Sequence, residues 1–430
     1  MATRREQDLL TQVSAGTPMG DFMRQYWLPA AASSELKVDG DPMRLMLLGE
    51  QLIAFRDSNG KVGVMDHRCP HRCASLFFGR NEEGGLRCVY HGWKFDADGN
   101  CVDMANVPPH QDFKHKVHAK AYRTRERAGV VWVYMGDQGE NGTALPELPS
   151  IEATMGDESD TIVMFIQREC SYLPSLEGSI DTSHAGILHG PARRPKTKDT
   201  DIEGIIIANP HPEYKVTETP YGTSYGAYRP AEAGKINWRV AHFLFPFWTL
   251  APTGPLEGHV TARAWVPMDD AHNMSVYFAR RSTLHKSSLA TLTGGVADFA
   301  DFLPNTTDWH GRWRTRANMS NDFLIDRERQ RTETFTGIDG VLLQDQMITE
   351  SMGGIPEMTG EHLAPSDHMI TVTRRRIIQA VNAFKTGGIR PPAADTPQDY
   401  LLARAGFFEA AETRDWLEAY RERLAAARAA

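Results

Sequence analysis

Cysteine is scarce in this chain, with only five cysteines among 430 residues. A small and odd number of cysteines does not suit a secreted fold that disulfides hold together. The N-terminal residues are mostly polar and lack the apolar core of a signal peptide. These absences indicate a reducing compartment, and we expect the protein to be cytoplasmic.

Long hydrophobic runs and an excess of positive charge are missing as well. No apolar stretch in the sequence approaches the ~20 residues of a membrane-spanning helix. The formal net charge is −8, which argues against a nucleic acid or an anionic membrane as the main partner. No G-x-G-x-x-G follows a predicted strand, so the chain lacks the sequence signature of a dinucleotide-binding domain.

Two short segments each pair a cysteine with a histidine. Cys69 and His71 form C-x-H, and after sixteen residues Cys88 and His91 form C-x2-H. Zinc fingers usually pair Cys with Cys and His with His on separate elements. A Rieske [2Fe–2S] centre instead has two Cys on one iron and two His on the other. We therefore predict a Rieske cluster held by two loops, with a structural zinc site as the alternative.

A second motif, D-x2-H-x4-H, consists of Asp181, His184 and His189. Asp181 and His184 would be neighbours on a helix. His184 and His189 could not reach one ion from a regular helix. They could do so if the helix is distorted near Gly186 or ends at Gly190. Two imidazoles and a distant carboxylate make the facial triad of non-haem Fe(II) oxygenases. Two buried histidines would explain the motif alone equally well, but the upstream Cys/His pair favours iron.

The third ligand has to come from elsewhere in the chain. Asp345 lies in the helical pattern Ile338–Met352, where a carboxylate on an apolar face would be costly unless it binds a cation. We therefore predict Asp345 as the third ligand, with Asp339 and Glu350 as alternatives.

The hydrophobic period divides the chain into three predicted parts. Residues 1–40 are expected to wrap around a larger body. Residues 41–150 contain short strands with the Cys/His loops at their tips, which predicts a small β-sandwich or barrel. The polar, turn-rich segment Gly136–Leu148 marks the boundary. Residues 151–430 combine one antiparallel sheet with C-terminal helices, so the predicted fold class is α+β.

The two Cys/His segments resemble the loops of the Rieske domain in ring-hydroxylating oxygenases, and the D-x2-H-x4-H motif resembles the mononuclear-iron motif of the same family. The resemblance spans nearly the whole chain and is closest to the phthalate dioxygenase branch. One residue departs from the pattern, because Cys73 stands where such loops usually have glycine. Cys73 could be a spare ligand or a disulfide partner of Cys101, but we expect a packed free thiol.

This resemblance implies an N-terminal Rieske β-sandwich domain followed by a helix-grip (START-like) catalytic domain. Asp181 matches the acid that links the two metal centres in the family, and it would orient His184 and accept a hydrogen bond from a cluster imidazole. The implied cluster ligands are Cys69, His71, Cys88 and His91, and the implied ligands of the mononuclear Fe(II) are His184, His189 and Asp345.

The branch also implies a reaction and its partners. O₂ would be activated at the mononuclear Fe(II) with electrons from the cluster, and the product would be the cis-dihydrodiol of an aromatic carboxylic acid. The substrate would be phthalate or a substituted benzoate such as chloro- or phenoxybenzoate. A separate flavin and iron–sulfur reductase would draw on NADH, and the chains would assemble as a homotrimer or stacked trimers.

An aromatic carboxylate needs a cation in its pocket, and the arginine fork suits both carboxylate oxygens. Arg239 lies in a strand with aromatic residues and Arg229 follows Tyr228, so both are candidates for substrate binding, although each could equally be structural. A monooxygenase or O-demethylase remains an alternative function, because the same two centres serve it. A Rieske electron-transfer protein is a further alternative, but it would leave residues 151–430 unexplained.

Overall fold

The computed structural model describes residues 2–139, 144–193, 211–231, 234–284 and 301–429. Part of the predicted boundary segment, residues 140–143, lies outside these ranges. Within them, no helix combines the length and the apolar composition that crossing a bilayer requires. The helices are α1 (Arg4–Thr11), α2 (Pro18–Met23), α3 (Tyr172–Ile180), α4 (Ala185–Leu188), α5 (Arg327–Thr332), α6 (Val341–Ser351), α7 (His368–Gly387) and α8 (Trp416–Ala429).

The strands follow one another in two groups along the chain. The first group is β1 (Trp27–Ala32), β2 (Met43–Leu47), β3 (Glu50–Arg56), β4 (Val62–Asp66), β5 (Arg80–Glu82), β6 (Gly85–Arg87), β7 (Trp93–Phe95), β8 (Cys101–Met104), β9 (Ala121–Arg127) and β10 (Val130–Tyr134). The second group is β11 (Thr161–Arg168), β12 (Glu213–Thr219), β13 (Gly222–Pro230), β14 (Lys235–Leu244), β15 (Trp248–Leu250), β16 (Thr261–Pro267), β17 (Asn273–Arg280) and β18 (Gly406–Ala411).

Two antiparallel sheets form the N-terminal part. One has six strands in the order β1-β10-β9-β4-β3-β2, and the other has four in the order β5-β6-β7-β8. Residues 1–40, predicted as a wrapping segment, contain two helices and also supply β1, which pairs with β10 at the edge of the larger sheet. Pro29 and three alanines in β1 are weak strand formers, which explains why the sequence did not reveal this strand. The limits of the three predicted parts stay a prediction.

An eight-stranded antiparallel sheet forms the second part. Its order is β11-β17-β16-β15-β14-β13-β12, and β18 pairs with β14. The α+β fold class predicted from the sequence is confirmed, and several elements match it closely, such as β7 and β11. The strand β9 was missed because its sequence, AYRTRER, is dominated by charged residues, and β18 was missed because it pairs only with a strand far away in sequence.

The helices α3, α6 and α7 lie against one face of the eight-stranded sheet, which we call the covered face. The strand registers place Arg168, Arg263 and Thr249 on this face, because paired residues on neighbouring strands point to the same side. Ser179 of α3 lies 2.8 Å from Thr249 through their hydroxyl oxygens, and Arg168 donates to Thr349 of α6 at 3.0 Å. The helix α7 reaches the same face through β13.

The two parts share one large hydrophobic core. The indole of Trp132 on β10 stacks on Trp248 of β15 and on Phe278 of β17, with ring centroids 5.9 Å apart in both pairs. Trp132 is fully buried, with 0 % of its surface exposed. The Cys/His loops pack on a separate and smaller core, which includes Phe55, Leu86 and Phe95.

Gly226 of β13 lies beneath two tryptophans on the opposite face of the sheet. A Cβ at this position would lie 2.8 Å from the Trp416 ring and 2.9 Å from the Trp238 ring. We expect Gly226→Ala to lower the free energy of unfolding by about 1–3 kcal/mol, because overpacking forces buried rings to move. Urea denaturation followed by tryptophan fluorescence measures the change.

Gly360→Ala is the matched control for this substitution, because a Cβ there meets no atom within 4 Å. The control should unfold at the wild-type urea midpoint. If Gly226→Ala did the same, the tryptophan packing would not be what requires glycine in β13.

Candidate metal centres

The first Cys/His group lies on two loops of the N-terminal part. Cys69 and His71 follow β4, whereas Cys88 and His91 lie between β6 and β7. Both cysteines are buried, and the imidazole centroids of His71 and His91 are 4.4 Å apart. The His71 ring also stacks on Trp93 at 4.3 Å. The structure therefore brings together the four residues that the sequence predicted as cluster ligands.

The two loops close in the same way. The Cys73 N–H donates to the Cys69 carbonyl at 2.8 Å, and the Gly92 N–H donates to the Cys88 carbonyl at 2.9 Å. Both closing residues have positive φ, 58° at Cys73 and 78° at Gly92, which is the conformation that favours glycine. Cys73 is a free thiol, as is Cys101, but the prediction that Cys73 is packed is wrong, because its side chain is exposed.

The chemistry of these four residues fits a [2Fe–2S] cluster. Burial raises the pKa of the Cys69 thiol to about 12, and the neighbouring Cys88 thiol adds to this. A thiol of this kind keeps its proton unless a metal replaces it. Among the described residues, the buried Nδ1 of His91 has no hydrogen-bond partner, which is costly for a buried polar atom and fits a metal ligand.

The second motif lies on an interrupted helical segment. The helix α3 ends at Ile180, and Asp181 follows with extended backbone. His184 and His189 flank the short helix α4. The expectation that Asp181 and His184 are neighbours on a helix is therefore wrong. Asp181 reaches His184 from the loop, where Oδ2 lies 3.3 Å from His184 Nδ1.

Asp345 of α6 completes a cluster with the two imidazoles. Its Oδ1 lies 3.5 Å from His184 Nε2 and 3.1 Å from His189 Nε2. One donor atom from each residue lies within 4.8 Å of the others. The imidazole planes are inclined by 81°, so their lone pairs can meet at one ion. Two imidazoles and one carboxylate leave further coordination positions open.

A glutamine holds the second imidazole. Gln344 Oε1 lies 2.7 Å from His189 Nδ1, and Gln344 Nε2 donates to the Ile338 carbonyl at 2.8 Å. The amide oxygen therefore accepts the Nδ1 proton of His189 and leaves Nε2 free for a metal. Sequence reasoning missed this role, and the only signal for it was the position of Gln344 next to Asp345.

The pKa values of His184 and Asp345 are coupled through their hydrogen bonds. Burial lowers the pKa of His184, but the hydrogen bonds to Asp181 and Asp345 outweigh burial and raise the pKa to about 9. Burial raises the pKa of Asp345, yet the two histidines hold that pKa far below its usual range. The ionised carboxylate of Asp345 therefore lies where the two Nε2 atoms meet, and a metal ion can replace the proton of His184 there.

Neither alternative third ligand joins this cluster. Asp339 is exposed and forms an ion pair with Arg329. Glu350 is buried and accepts hydrogen bonds from the Gln346 amide and the Glu169 N–H. Of the three acids considered from the sequence, the structure brings only Asp345 to the histidines.

A further group of Asp269, His272 and His310 has donor atoms equally close together. Its imidazoles are stacked, however, with centroids 4.1 Å apart and planes inclined by 24°. A metal ion lies in the plane of each imidazole that binds it. The planes of two stacked, nearly parallel rings do not intersect near the ring nitrogens, so these two imidazoles are poorly placed to share one ion. Asp269 instead bridges the rings, at 2.9 Å from His272 Nδ1 and 2.8 Å from His310 Nε2.

The predicted substrate arginines lie at the far side of the covered face. The register of β13 and β14 places Arg229 and Arg239 on that face. They are close to the phenols of Tyr214 and Tyr225, which interact with both guanidinium groups. A cavity of about 250 Å³ adjoins Asp181, His184 and Asp345. The described residues that line it include neither Arg229 nor Arg239.

Two family models match this chain over consecutive ranges. The model for the Rieske [2Fe-2S] domain matches residues 26–121. The model described as LigXa C-terminal domain like matches residues 133–422. The Rieske range contains both Cys/His loops, and the second range contains the cluster of His184, His189 and Asp345.

Curated relatives resemble the chain along its whole length. The 3-chlorobenzoate-3,4-dioxygenase oxygenase subunit of Comamonas testosteroni is 46% identical over 99% of this chain and 99% of that protein. The phthalate 4,5-dioxygenase oxygenase subunit of Pseudomonas putida is 35% identical over 96% of this chain and 93% of that protein. The solved structure of dicamba monooxygenase bound to dicamba shares the fold, with a TM-score of 0.55, 17% identity and coverage of 85% of this chain and 99% of that one.

Removing the Gln344 hydrogen bond should weaken metal binding without removing a ligand. We expect Gln344→Leu to lower the affinity for Fe(II) or Co(II) by about 10–100-fold, because the His189 ring loses the acceptor that orients it. Metal titration of the apo-protein, with the visible spectrum of the [2Fe–2S] cluster as a folding reference, measures this. Gln111→Leu, at an exposed position, is the control. Equal affinities in both variants would contradict the role of Gln344.

Proposed function

The chain belongs to the family of Rieske non-haem iron ring-hydroxylating oxygenases, and from this premise we propose that it is the oxygenase component of a dioxygenase that cis-dihydroxylates an aromatic carboxylic acid. The names of the two relatives support phthalate or a chlorobenzoate as the substrate, and the proposal extends to other substituted benzoates such as phenoxybenzoate. The observation that carries the proposal is the convergence of His184, His189 and Asp345 beside a cavity.

The geometry supports two proposed ligand sets. Cys69 and Cys88 would bind one iron of the cluster, and His71 and His91 would bind the other, as in Rieske centres generally. The mononuclear Fe(II) would be held by the two Nε2 atoms and the carboxylate that meet at Asp345. When bound, the cluster supplies electrons one at a time and the mononuclear iron supplies the centre for O₂ activation.

The surrounding residues orient these ligands and shape the cavity. Asp181 accepts the Nδ1 proton of His184. Burial raises the pKa of Asp181, but its hydrogen bonds to His184 and Ser183 outweigh burial and lower that pKa, so the carboxylate stays ionised. The apolar walls come from Trp265 of the sheet and from Leu188 and Ile348 of the helices. Such walls place an aromatic ring next to the proposed iron and limit the access of water.

The proposed reaction needs an electron donor outside this chain. Both relatives are oxygenase subunits by name, so the chain works with a separate reductase. We propose a flavin and iron–sulfur reductase that draws on NADH. The cytoplasmic location stays part of the proposal, and the free cysteines of the described residues are compatible with it.

We further propose that the chains assemble as a homotrimer or as stacked trimers. A head-to-tail ring closes with every site equivalent. In such a ring the cluster of one chain would serve the iron of its neighbour. Asp181 would then accept hydrogen bonds from His184 of its own chain and from His91 of the adjacent chain.

A monooxygenase or O-demethylase is the second candidate function. The fold that this chain shares with dicamba monooxygenase favours it as an alternative, because the same centres can insert one oxygen atom or two. The identity of the product separates the two functions, since a dioxygenase yields a cis-dihydrodiol and a monooxygenase yields a single hydroxyl group.

The first test combines metal analysis with a product assay. We expect about three irons per chain, two in the cluster and one mononuclear. With a reductase, NADH and a panel of substituted benzoates, the wild type should release a cis-dihydrodiol. Cys69→Ser and His91→Ala should lose the Rieske visible spectrum, whereas His184→Ala should keep it and form no product. A normal spectrum in both cluster variants would contradict the ligand assignment.

The second test concerns transfer between chains. We expect Asp181→Asn to keep both metals and lose most activity, because it breaks the proposed bridge without removing a ligand. Cys69→Ser and Asp345→Ala should each be inactive alone and should regain turnover when co-expressed and purified as mixed rings. Stable mixed rings, verified by mass spectrometry but still inactive, would show that electrons stay within one chain.

A further inference from the structure

The cavity beside the proposed iron contains two arginines that sequence analysis did not single out. Arg168 of β11 and Arg263 of β16 line it from the covered face, together with Trp265. Asp181, His184 and Asp345 line it as well. The cavity of about 250 Å³ is slightly smaller than the pockets of about 300–1,000 Å³ that bind drug-sized ligands, which suits a ligand with one aromatic ring.

Arg168 is buried, with 1% of its surface exposed. One of its nitrogens, Nη1, donates to the Thr349 hydroxyl at 3.0 Å. Its guanidinium carbon lies 4.8 Å from the centroid of the Trp265 ring. Among the described residues, neither Nε nor Nη2 has a hydrogen-bond partner. Arg168 therefore keeps donors that its surroundings do not satisfy.

Arg263 is the more accessible of the two. It is half-buried, and its guanidinium carbon lies 5.3 Å from the Trp265 centroid and 5.2 Å from the Tyr277 centroid. Within the part of the chain that the structure describes, the side chain of Arg263 forms no hydrogen bond and no ion pair. The faces of the Trp265 and Tyr277 rings hold the Arg263 side chain in place. The N–H donors of its guanidinium group remain available for a ligand.

Two neighbouring cations without a partner anion are unfavourable in a buried place. Burial is the main cause that lowers the pKa of Arg263, and the charge of Arg168 adds to it, while Tyr277 and Asp345 offset part of the effect. The third arginine of the cavity differs, because Arg374 is already paired with Glu177 and Glu361. Of the three arginines that line this cavity, Arg168 and Arg263 are therefore the two that form no ion pair with a carboxylate of the described residues.

We propose that Arg263, supported by Arg168, binds the carboxylate of the aromatic substrate. This inference rests on the proposed function and places the carboxylate against β16, so that the ring extends along Trp265 toward His184 and Asp345. The arginine fork offers two parallel hydrogen bonds to a carboxylate. The inference moves the carboxylate away from Arg229 and Arg239, which do not line this cavity.

The test compares an acid with its neutral isostere. The holoenzyme is dialysed to equilibrium against labelled 3-chlorobenzoate or 3-chlorobenzamide, and KM and kcat are measured with reductase and NADH. Arg263→Met should weaken binding of the acid and raise its KM by about ten- to a hundredfold, as expected for a lost charge-assisted bond. The values for the amide should change less than about threefold, since it forms no charge-assisted bond.

Two further variants guard against a general defect in folding. Arg263→Lys keeps the charge but loses the fork, so its acid affinity should lie between those of the wild type and Arg263→Met. Arg168→Met should also reduce the preference for the acid. Arg375→Met is the control, because Arg375 is an exposed arginine on α7, and it should behave as the wild type.

The outcomes separate this inference from the proposed function. Equal losses for acid and amide in Arg263→Met, or a selective loss of acid affinity in Arg239→Met alone, would overturn the carboxylate site. A wild type that binds 3-chlorobenzoate through Arg263 but oxygenates none of the acids, although its cluster is reduced, would instead overturn the proposed function.

Discussion

The position of the His189 ring is fixed by two contacts from α6, and the proposed mononuclear iron site depends on them. Two consecutive residues of α6 hold this ring from opposite sides, Gln344 at Nδ1 and Asp345 at Nε2. The contact joins segments 155 residues apart, so it exists only when α6 is packed correctly against the sheet. The same helix is fixed through Thr349 to Arg168. A displacement of α6 would therefore change the metal ligands and the wall of the substrate cavity together.

Local patterns were sufficient for much of this architecture. Cys69, His71, Cys88 and His91 could be predicted as cluster ligands from local sequence, since each loop carries its Cys and His within a few residues. Contacts that depend on strand register could not be found in this way. Arg168 and Arg263 share a face because β17 lies between their strands, and no local period encodes that arrangement. The exposure of Cys73 could not be predicted either, because the exposure of a loop residue depends on how the whole loop is oriented.

Buried charge is treated in two different ways around the cavity. Arg374 is neutralised by carboxylates of its own chain, which stabilises the fold whether or not a ligand is bound. Arg168 and Arg263 face aromatic rings instead. Leaving a cation without its anion costs stability, and such costs are typical of binding sites. A ligand that supplies the anion would then also stabilise the folded chain, by mass action.

The stacking of Trp132 on Trp248 and Phe278 also affects the order of events during synthesis. The buried residues of the smaller core all lie between Ile53 and Ala119, so the nascent chain can enclose the iron–sulfur loops early. The large core is complete only after β15 and β17 have left the ribosome. Until then Trp132 lacks its partners and offers an apolar surface to chaperones or to aggregation. Cluster assembly can thus precede the step in which the chain is most vulnerable.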